Sequence, residues 1–255
     1  MRYASWNVNS IRARYDALVG WLEEHRPDVI CLQETKVADS EFPSETLQRQ
    51  GYEIARAGQR TYNGVAIASR LPLQDVTIGL WDAAPDEDKR IIAATVDGVR
   101  VVCVYVPNGK HVDSPAYVEK LAWLERLRAT LDRSADRMQE VLVCGDFNIA
   151  RDARDVFDVE RMRDQLHFTE REHAAFDRVL DFGLVDAFRH FEPSGGHYSW
   201  WDYRAGAFTR DRGLRIDYAL CTEPLVRRVK RVWMDKAARG MPKPSDHVPV
   251  VVDFD

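Results

Sequence analysis

At five places in this 255-residue chain, polar side chains sit directly beside apolar runs, and the same few types recur: carboxylate, carboxamide, phenol and imidazole. Asn7 and Asn9 follow the run at residues 3–6, Gln33 and Glu34 that at 29–32, and Asp146 and Asn148 that at 141–144. Tyr105 and Asn108 close residues 101–106, while Asp246 and His247 precede residues 248–251. A sheet edge presents such residues to a cleft, so the repetition points to one shared site. Taken alone, Glu34 is a weak signal, since an acidic residue after a strand is more often a helix cap or a solvated turn. Beside Gln33 and the Asn7/Asn9 pair it suits magnesium, a hard cation that takes one or two protein carboxylates and keeps several waters. Zinc would want His or Cys clusters, and the sequence has none.

Gly145-Asp146-Phe147-Asn148 sets a carboxylate and an amide two residues apart. In an extended turn both can face one side and grip a single water or phosphate oxygen. The same four residues can equally form an Asx turn that ends a strand. In Ser245-Asp246-His247, an imidazole with an ordinary pKa of about 6.5 near a second acid such as Asp217 would be held as a proton-bearing or phosphate-binding group. The run from Tyr198 through Trp200 and Trp201 to Tyr203 reads by composition as core. Aromatics with polar tips also stack on bases and sugars. The nearby Arg204, Arg210, Arg212 and Arg215 make a nucleic-acid surface a competing reading.

The elements that must position these groups are short Val- and Ile-rich runs at residues 28–32, 64–68, 91–96, 100–106, 140–144, 216–221 and 248–254, which predict buried strands. Several follow closely enough to pair as hairpins, as across Asp97-Gly98. Helices are fewer than a regular strand-helix alternation needs, which predicts two packed sheets with helices outside. One helix is expected over residues 11–25, stopping before Pro27. A second starts at Ser114-Pro115, with Tyr117, Leu121, Leu124, Leu127 and Leu131 on one stripe. A third starts at Thr169, which forms a capping box with Glu172, and stops at Gly183. Residues 151–167 lack a pattern and read as a long surface loop that touches the substrate.

No linker or repeat interrupts the chain, and the candidate residues run from one end to the other, so a single domain over residues 1–255 is expected. Cys31, Cys103, Cys144 and Cys221 each sit in an apolar run and read as reduced core thiols. No apolar stretch is long enough to cross a bilayer and the N-terminus lacks a signal-peptide core, so the cytoplasm is the expected compartment. A net charge of −5 argues mildly against a nucleic-acid partner. The basic residues are unevenly spread, however, and those at 12–14, 151–171 and 204–215 read equally as a basic rim or as solvated surface charge.

Together these motifs resemble the exonuclease III family of apurinic/apyrimidinic endonucleases, within the DNase I-like endonuclease/exonuclease/phosphatase superfamily. The likeness spans the chain. It rests on Ser5-Trp6-Asn7-Val8-Asn9, Cys31-Leu32-Gln33-Glu34-Thr35-Lys36, Gly64-Val65-Ala66-Ile67, Tyr105-Val106-Pro107-Asn108-Gly109, Gly145-Asp146-Phe147-Asn148-Ile149, Ser199-Trp200-Trp201-Asp202-Tyr203, Arg215-Ile216-Asp217-Tyr218 and Ser245-Asp246-His247. The resemblance implies an α/β four-layer sandwich, two packed mixed β-sheets flanked by helices, with the site at one edge.

It also implies roles. Glu34, Asn7 and Asp246 would hold magnesium, with manganese as the alternative ion. Asp146 would orient or deprotonate the attacking water. Asn148, His247 and Tyr105 would stabilise the phosphate, and Asp217 would orient His247. Asn108, Arg90, Trp200 and Leu214 would contact substrate, the last two walling a pocket for a flipped-out baseless sugar. The implied partner is double-stranded DNA bearing abasic sites or 3′ ends, met by a monomer. Gly109-Lys110-His111 and residues 151–167 depart from the family pattern.

Two other readings compete. A non-catalytic nucleic-acid-binding relative would need to have lost residues that are all present here: Glu34, Asp146, Asn148, Asp217 and His247. A lipid or inositol phosphatase would be expected to carry a membrane-binding appendage, and none is seen.

Overall fold

The computed structural model describes residues 1–84 and 87–255. In chain order the first strands are β1 (Arg2–Asn7), β2 (Val29–Gln33), β3 (Glu53–Ala57), β4 (Val65–Ser69), β5 (Gln74–Ile78) and β6 (Ile91–Val96). They are followed by β7 (Val99–Tyr105), β8 (Val141–Asp146), β9 (Leu184–Asp186), β10 (Asp217–Thr222), β11 (Val229–Met234) and β12 (Val250–Phe254). The helices are α1 (Tyr15–His25), α2 (Ser44–Arg49), α3 (Pro115–Ser134), α4 (Val159–Met162), α5 (Glu170–Leu180), α6 (Ala187–Phe191) and α7 (Glu223–Val226).

The strands form two six-stranded sheets, ordered β11-β12-β1-β2-β4-β3 and β5-β6-β7-β8-β10-β9. Both are mixed: β1 runs parallel to β2 and β7 parallel to β8, while the remaining pairs are antiparallel. The central strands are apolar on both faces because each sheet is covered twice. Tyr3, Cys31, Ile67, Ile92, Cys103, Leu142, Cys144 and Cys221 fill the space between the sheets. Leu124, Leu127 and Leu131 of α3 and Phe176 and Val179 of α5 cover the second sheet against Val102, Val104 and Val143. Leu18, Trp21 and Leu22 of α1 cover the first, against Trp6, Ile30 and Leu32. The four layers expected from the sequence are therefore present, and all four cysteines are buried and free.

Local signals explain the main boundaries. The Ser114 hydroxyl accepts from the Tyr117 N–H at 3.1 Å and opens α3. Thr169 and Glu172 form a reciprocal capping box on α5. Asp97 and Gly98 have φ of 48° and 81°, the pair of positive values that a two-residue hairpin turn needs to match strand twist.

Two expectations are corrected. Helix α1 starts at Tyr15 rather than residue 11, because the Ser10 and Ile11 N–H groups bond the carbonyls of Glu34 and Thr35 at 2.7 and 3.1 Å, fixing the chain as a turn over the end of β2. Residues 151–167 are not a plain surface loop: they hold a 3₁₀ turn at Ala153–Asp155 and helix α4. Asp155 is fully buried there.

Candidate active site

Strand register assembles the site. Across the second sheet, Tyr105 pairs with Asp146 and Asp146 with Asp217, so three polar side chains end three neighbouring strands in line. In the first sheet Asn7 pairs with Gln33, which puts Glu34 one residue beyond the same edge. Gly145 permits the close approach before Asp146: a Cβ there would stand 1.9 Å from the Val104 carbonyl oxygen, and its φ is +144°. Left-handed backbone gathers at these strand exits, at Asn9, Ser10, Glu34, Lys36 and Asn148. Non-glycine residues hold such angles only where the surroundings fix them, and functional sites are where that occurs.

Asn7 ties the sheets together. Its side-chain nitrogen donates to Glu34 Oε1 at 2.8 Å and Asp146 Oδ2 at 2.9 Å, while its oxygen accepts from the Asn9 N–H at 2.9 Å. Asp146 Oδ1 accepts from the Asn148 N–H at 2.8 Å. Asn148 in turn donates to the Val106 carbonyl at 3.0 Å, and its Oδ1 accepts from Asn108 at 3.1 Å. His247 places Nε2 3.6 Å from Asp146 Oδ2 and Nδ1 2.9 Å from Asp217 Oδ2. Ser199 donates to that same Asp217 oxygen at 2.6 Å. Arg90 lies 4.9 Å above the Tyr105 ring and pairs with Asp88 at 3.2 Å.

Burial sets the protonation states. Desolvation, with smaller contributions from Asp217 and Glu34, pushes Asp146 up to about 7 against the pull of His247 and Asn7. For His247, burial opposes the charge, but the Asp217 and Asp146 carboxylates outweigh it and raise the imidazole to about 10. Burial also lifts the Tyr105 phenol well above its usual range, helped by Glu34 and Asp146. Near pH 8 the site therefore holds an ionised Asp146, a protonated His247 and a neutral phenol, a base beside a charged donor.

One ligand atom each from Glu34, Asp146 and His247 lies within 4.8 Å of the others, and with His247 protonated the two carboxylates are the pair able to hold a cation. Two carboxylates with little competing imidazole fit a hard cation better than zinc. Asp246 is outside that group. Its oxygens accept from Asn9 at 2.9 Å and from the Trp200 indole at 3.0 Å, so it fixes the cleft wall. Those two bonds and the nearby His247 charge hold its carboxyl below the usual range despite burial.

Trp200 and Leu214 do meet: they form a backbone bridge and line a cleft of about 290 Å³ with Phe157, Arg161, His167 and Arg212. Two larger clefts, each about 500 Å³, contain none of the candidate residues. Trp201, by contrast, is buried in the core, as the composition of its run suggested. Arg215 corrects the basic-rim reading. It is 1% exposed and salt-bridged to Asp155 at 2.7 Å and Asp186 at 2.7 Å. Arg189 joins Asp155 at 2.5 Å, and Arg151 is paired with Asp177 at 2.6 Å.

Sequence reasoning gave no role to Lys36, Ser199 or His167. Lys36 bridges Glu34 at 2.7 Å and Asn9 at 2.6 Å. It belongs to the Gln33-Glu34-Thr35-Lys36 motif, a signal that was present and unread. His167 has no such signal. Its Nδ1 sits 2.6 Å from the Asn148 carbonyl, and burial followed by the Lys120 charge lowers it to about 4.

The chain is similar to known proteins along its whole length. Residues 4–247 match the Endonuclease/Exonuclease/phosphatase family. The chain is 35% identical to exodeoxyribonuclease III of Haemophilus influenzae, over 100% of both chains. An AP endonuclease from Archaeoglobus fulgidus superposes with a TM-score of 0.96 at 39% identity, covering 100% of this chain and 99% of that one. A 3′ phosphatase from Neisseria, solved bound to a product DNA hairpin, superposes with a TM-score of 0.96 at 39% identity and the same coverage. With its whole length aligned and its strand-end residues in one site, the chain belongs to the endonuclease/exonuclease/phosphatase family, among the exodeoxyribonuclease III-type DNA repair nucleases.

Proposed function

We propose that this chain hydrolyses phosphodiesters of double-stranded DNA, incising 5′ to abasic sites and removing nucleotides or blocking groups from 3′ ends. It does so as a cytoplasmic monomer that uses magnesium, with manganese able to substitute. The observation that carries this reading is the meeting of Asp146, Glu34 and the Asp217-His247 pair at one sheet edge, beside the Trp200 cleft.

Asp146, raised to about 7, is ionised at neutral to mildly basic pH and orients a water by accepting its proton. As the water oxygen bonds to phosphorus, the bond to the 3′ oxygen breaks and that oxygen departs with the electron pair. Protonated His247, held by Asp217, which itself accepts from Ser199, donates a hydrogen bond to a non-bridging phosphate oxygen as charge grows there. Asn148 and Tyr105 add neutral donors, which stabilise the crowded phosphate without a second fixed cation to retain product. A cation held by Glu34, Asp146 and their neighbours would supply Lewis-acid stabilisation of the leaving oxygen. Asn108 and Arg90 border the phosphate site, and Trp200 with Leu214 walls the space for a nucleotide turned out of the helix.

The test is incision of a labelled duplex carrying one abasic-site analogue, beside duplexes with a recessed 3′ hydroxyl and a 3′ phosphate, each with magnesium or EDTA. Magnesium-dependent cutting 5′ to the analogue and release at the 3′ ends are expected. Binding without cleavage under any metal would replace this reading with a non-catalytic nucleic-acid binder.

A further inference from the structure

A lysine outside the reacting group joins three loops of the site. Lys120 of α3 and Glu172 of α5 are fully buried and make a direct charged hydrogen bond. The Lys120 ammonium also donates to the carbonyl oxygens of Asn148 at 2.7 Å and Asn108 at 3.3 Å. Its three protons are thereby matched to three acceptors. Glu172 accepts from the N–H groups of His167 at 3.2 Å and Thr169 at 3.1 Å, and from the Thr169 hydroxyl at 3.0 Å. The loops after β7 and β8 and the lead-in to α5 thus converge on one ion pair.

Stability alone is a weak reason for such a pair. Desolvating two charges offsets much of their attraction, and apolar residues of similar size often serve as well. What apolar residues cannot do is donate to the main chain of Asn148, whose side chain reaches Asp146 at 3.4 Å, and of Asn108, whose side chain bonds that of Asn148. Asn148 holds a φ of 52°, so the direction of its amide depends on what restrains its backbone. Gly109, φ +91°, completes the fit, since a Cβ there would stand 3.2 Å from the Lys120 chain.

We propose that Lys120, secured by Glu172, is a positioning residue that sets the Asn148 loop for turnover rather than for DNA affinity. This rests on the hydrolytic function proposed above. The double variant Lys120→Met/Glu172→Gln removes both charges while keeping side-chain volume. It is expected to lower kcat about 10- to 100-fold, with KM for duplex DNA changed less than about 3-fold, because small misplacements of a reacting group cost rate. In an Asn148→Ala background the same pair of substitutions is expected to cost less than about 3-fold, since the group it positions is gone.

An unchanged kcat overturns the proposal, as does an equal loss in both backgrounds, which would mark a general structural role. Loss of the wild-type thermal transition in both the double variant and Glu172→Gln alone also overturns it, because the pair would then be a folding requirement. A wild-type protein that leaves the duplex uncut overturns the function itself and the positioning role with it. A cutting wild type with undiminished variants overturns the positioning role alone.

Discussion

The proposed reacting end of the site and its proposed substrate end are built by different means. Asn7, Tyr105, Asp146 and Asp217 are terminal residues of paired strands, and the register of two sheets sets their spacing. Trp200, Leu214, Phe157 and His167 lie in segments with little regular structure, held by buried ion pairs such as Asp155 with Arg215 and Arg189. Sheet ladders give precision without adjustable parts, which suits proton transfer. Segments pinned at a few charged points can differ in length and shape while the chemistry stays fixed, which suits recognition.

Substitutions can break or sharpen that contrast. The largest effect is expected at the reacting end: Asp146→Asn should lower turnover about 10²- to 10⁴-fold, the usual contribution of a positioned base. DNA affinity, measured by fluorescence anisotropy, should stay within a few-fold of wild type. Retained activity would remove Asp146 from its role. Next comes the pinning of the substrate end. Asp155→Ala leaves two buried guanidinium groups short of a partner and should cost about 3–5 kcal/mol in urea denaturation. A loss below about 1 kcal/mol would mean that the network does not hold the segment.

Trp200→Ala should then separate the activities, reducing abasic-site incision roughly tenfold more than removal of 3′ nucleotides, on the scale of one lost stacking contact. Equal losses would deny the cleft its selective role. A further effect concerns pH. A carboxyl whose folded pKa is raised to about 7 from an ordinary 3.8 favours folding less as pH rises between those values. In EDTA, Asp146→Asn should therefore raise Tm, by an increment that grows from pH 4 to pH 7 and then levels. A constant increment would mean that burial does not perturb Asp146.

The same contrast governs what the sequence disclosed. Residues 91–96 coincide with β6, and both predicted helix caps exist, because alternation, Pro placement and capping pairs are local signals. Strand β5 escaped notice because all its residues are exposed and only Val76 and Ile78 are apolar; β11 carries adjacent Lys230 and Arg231 at a sheet edge. At the site, strand-exit polar residues were legible as a repeated pattern. Partners brought together only by tertiary folding were not. Arg215 read as surface charge because Asp155, 60 positions away, gives no local sign of the pairing. Lys120 drew no reading for the same reason, since Glu172 lies 52 positions away.

Asn7 lies on β1, His247 just before β12, and these two strands are paired along their length. A growing chain thus carries Glu34, Asp146 and Asp217 long before it carries a working site, because the imidazole arrives only when the final strand docks on the first. Synthesis proceeds from the N-terminus, so with the role proposed for His247 activity is expected only once β12 has docked.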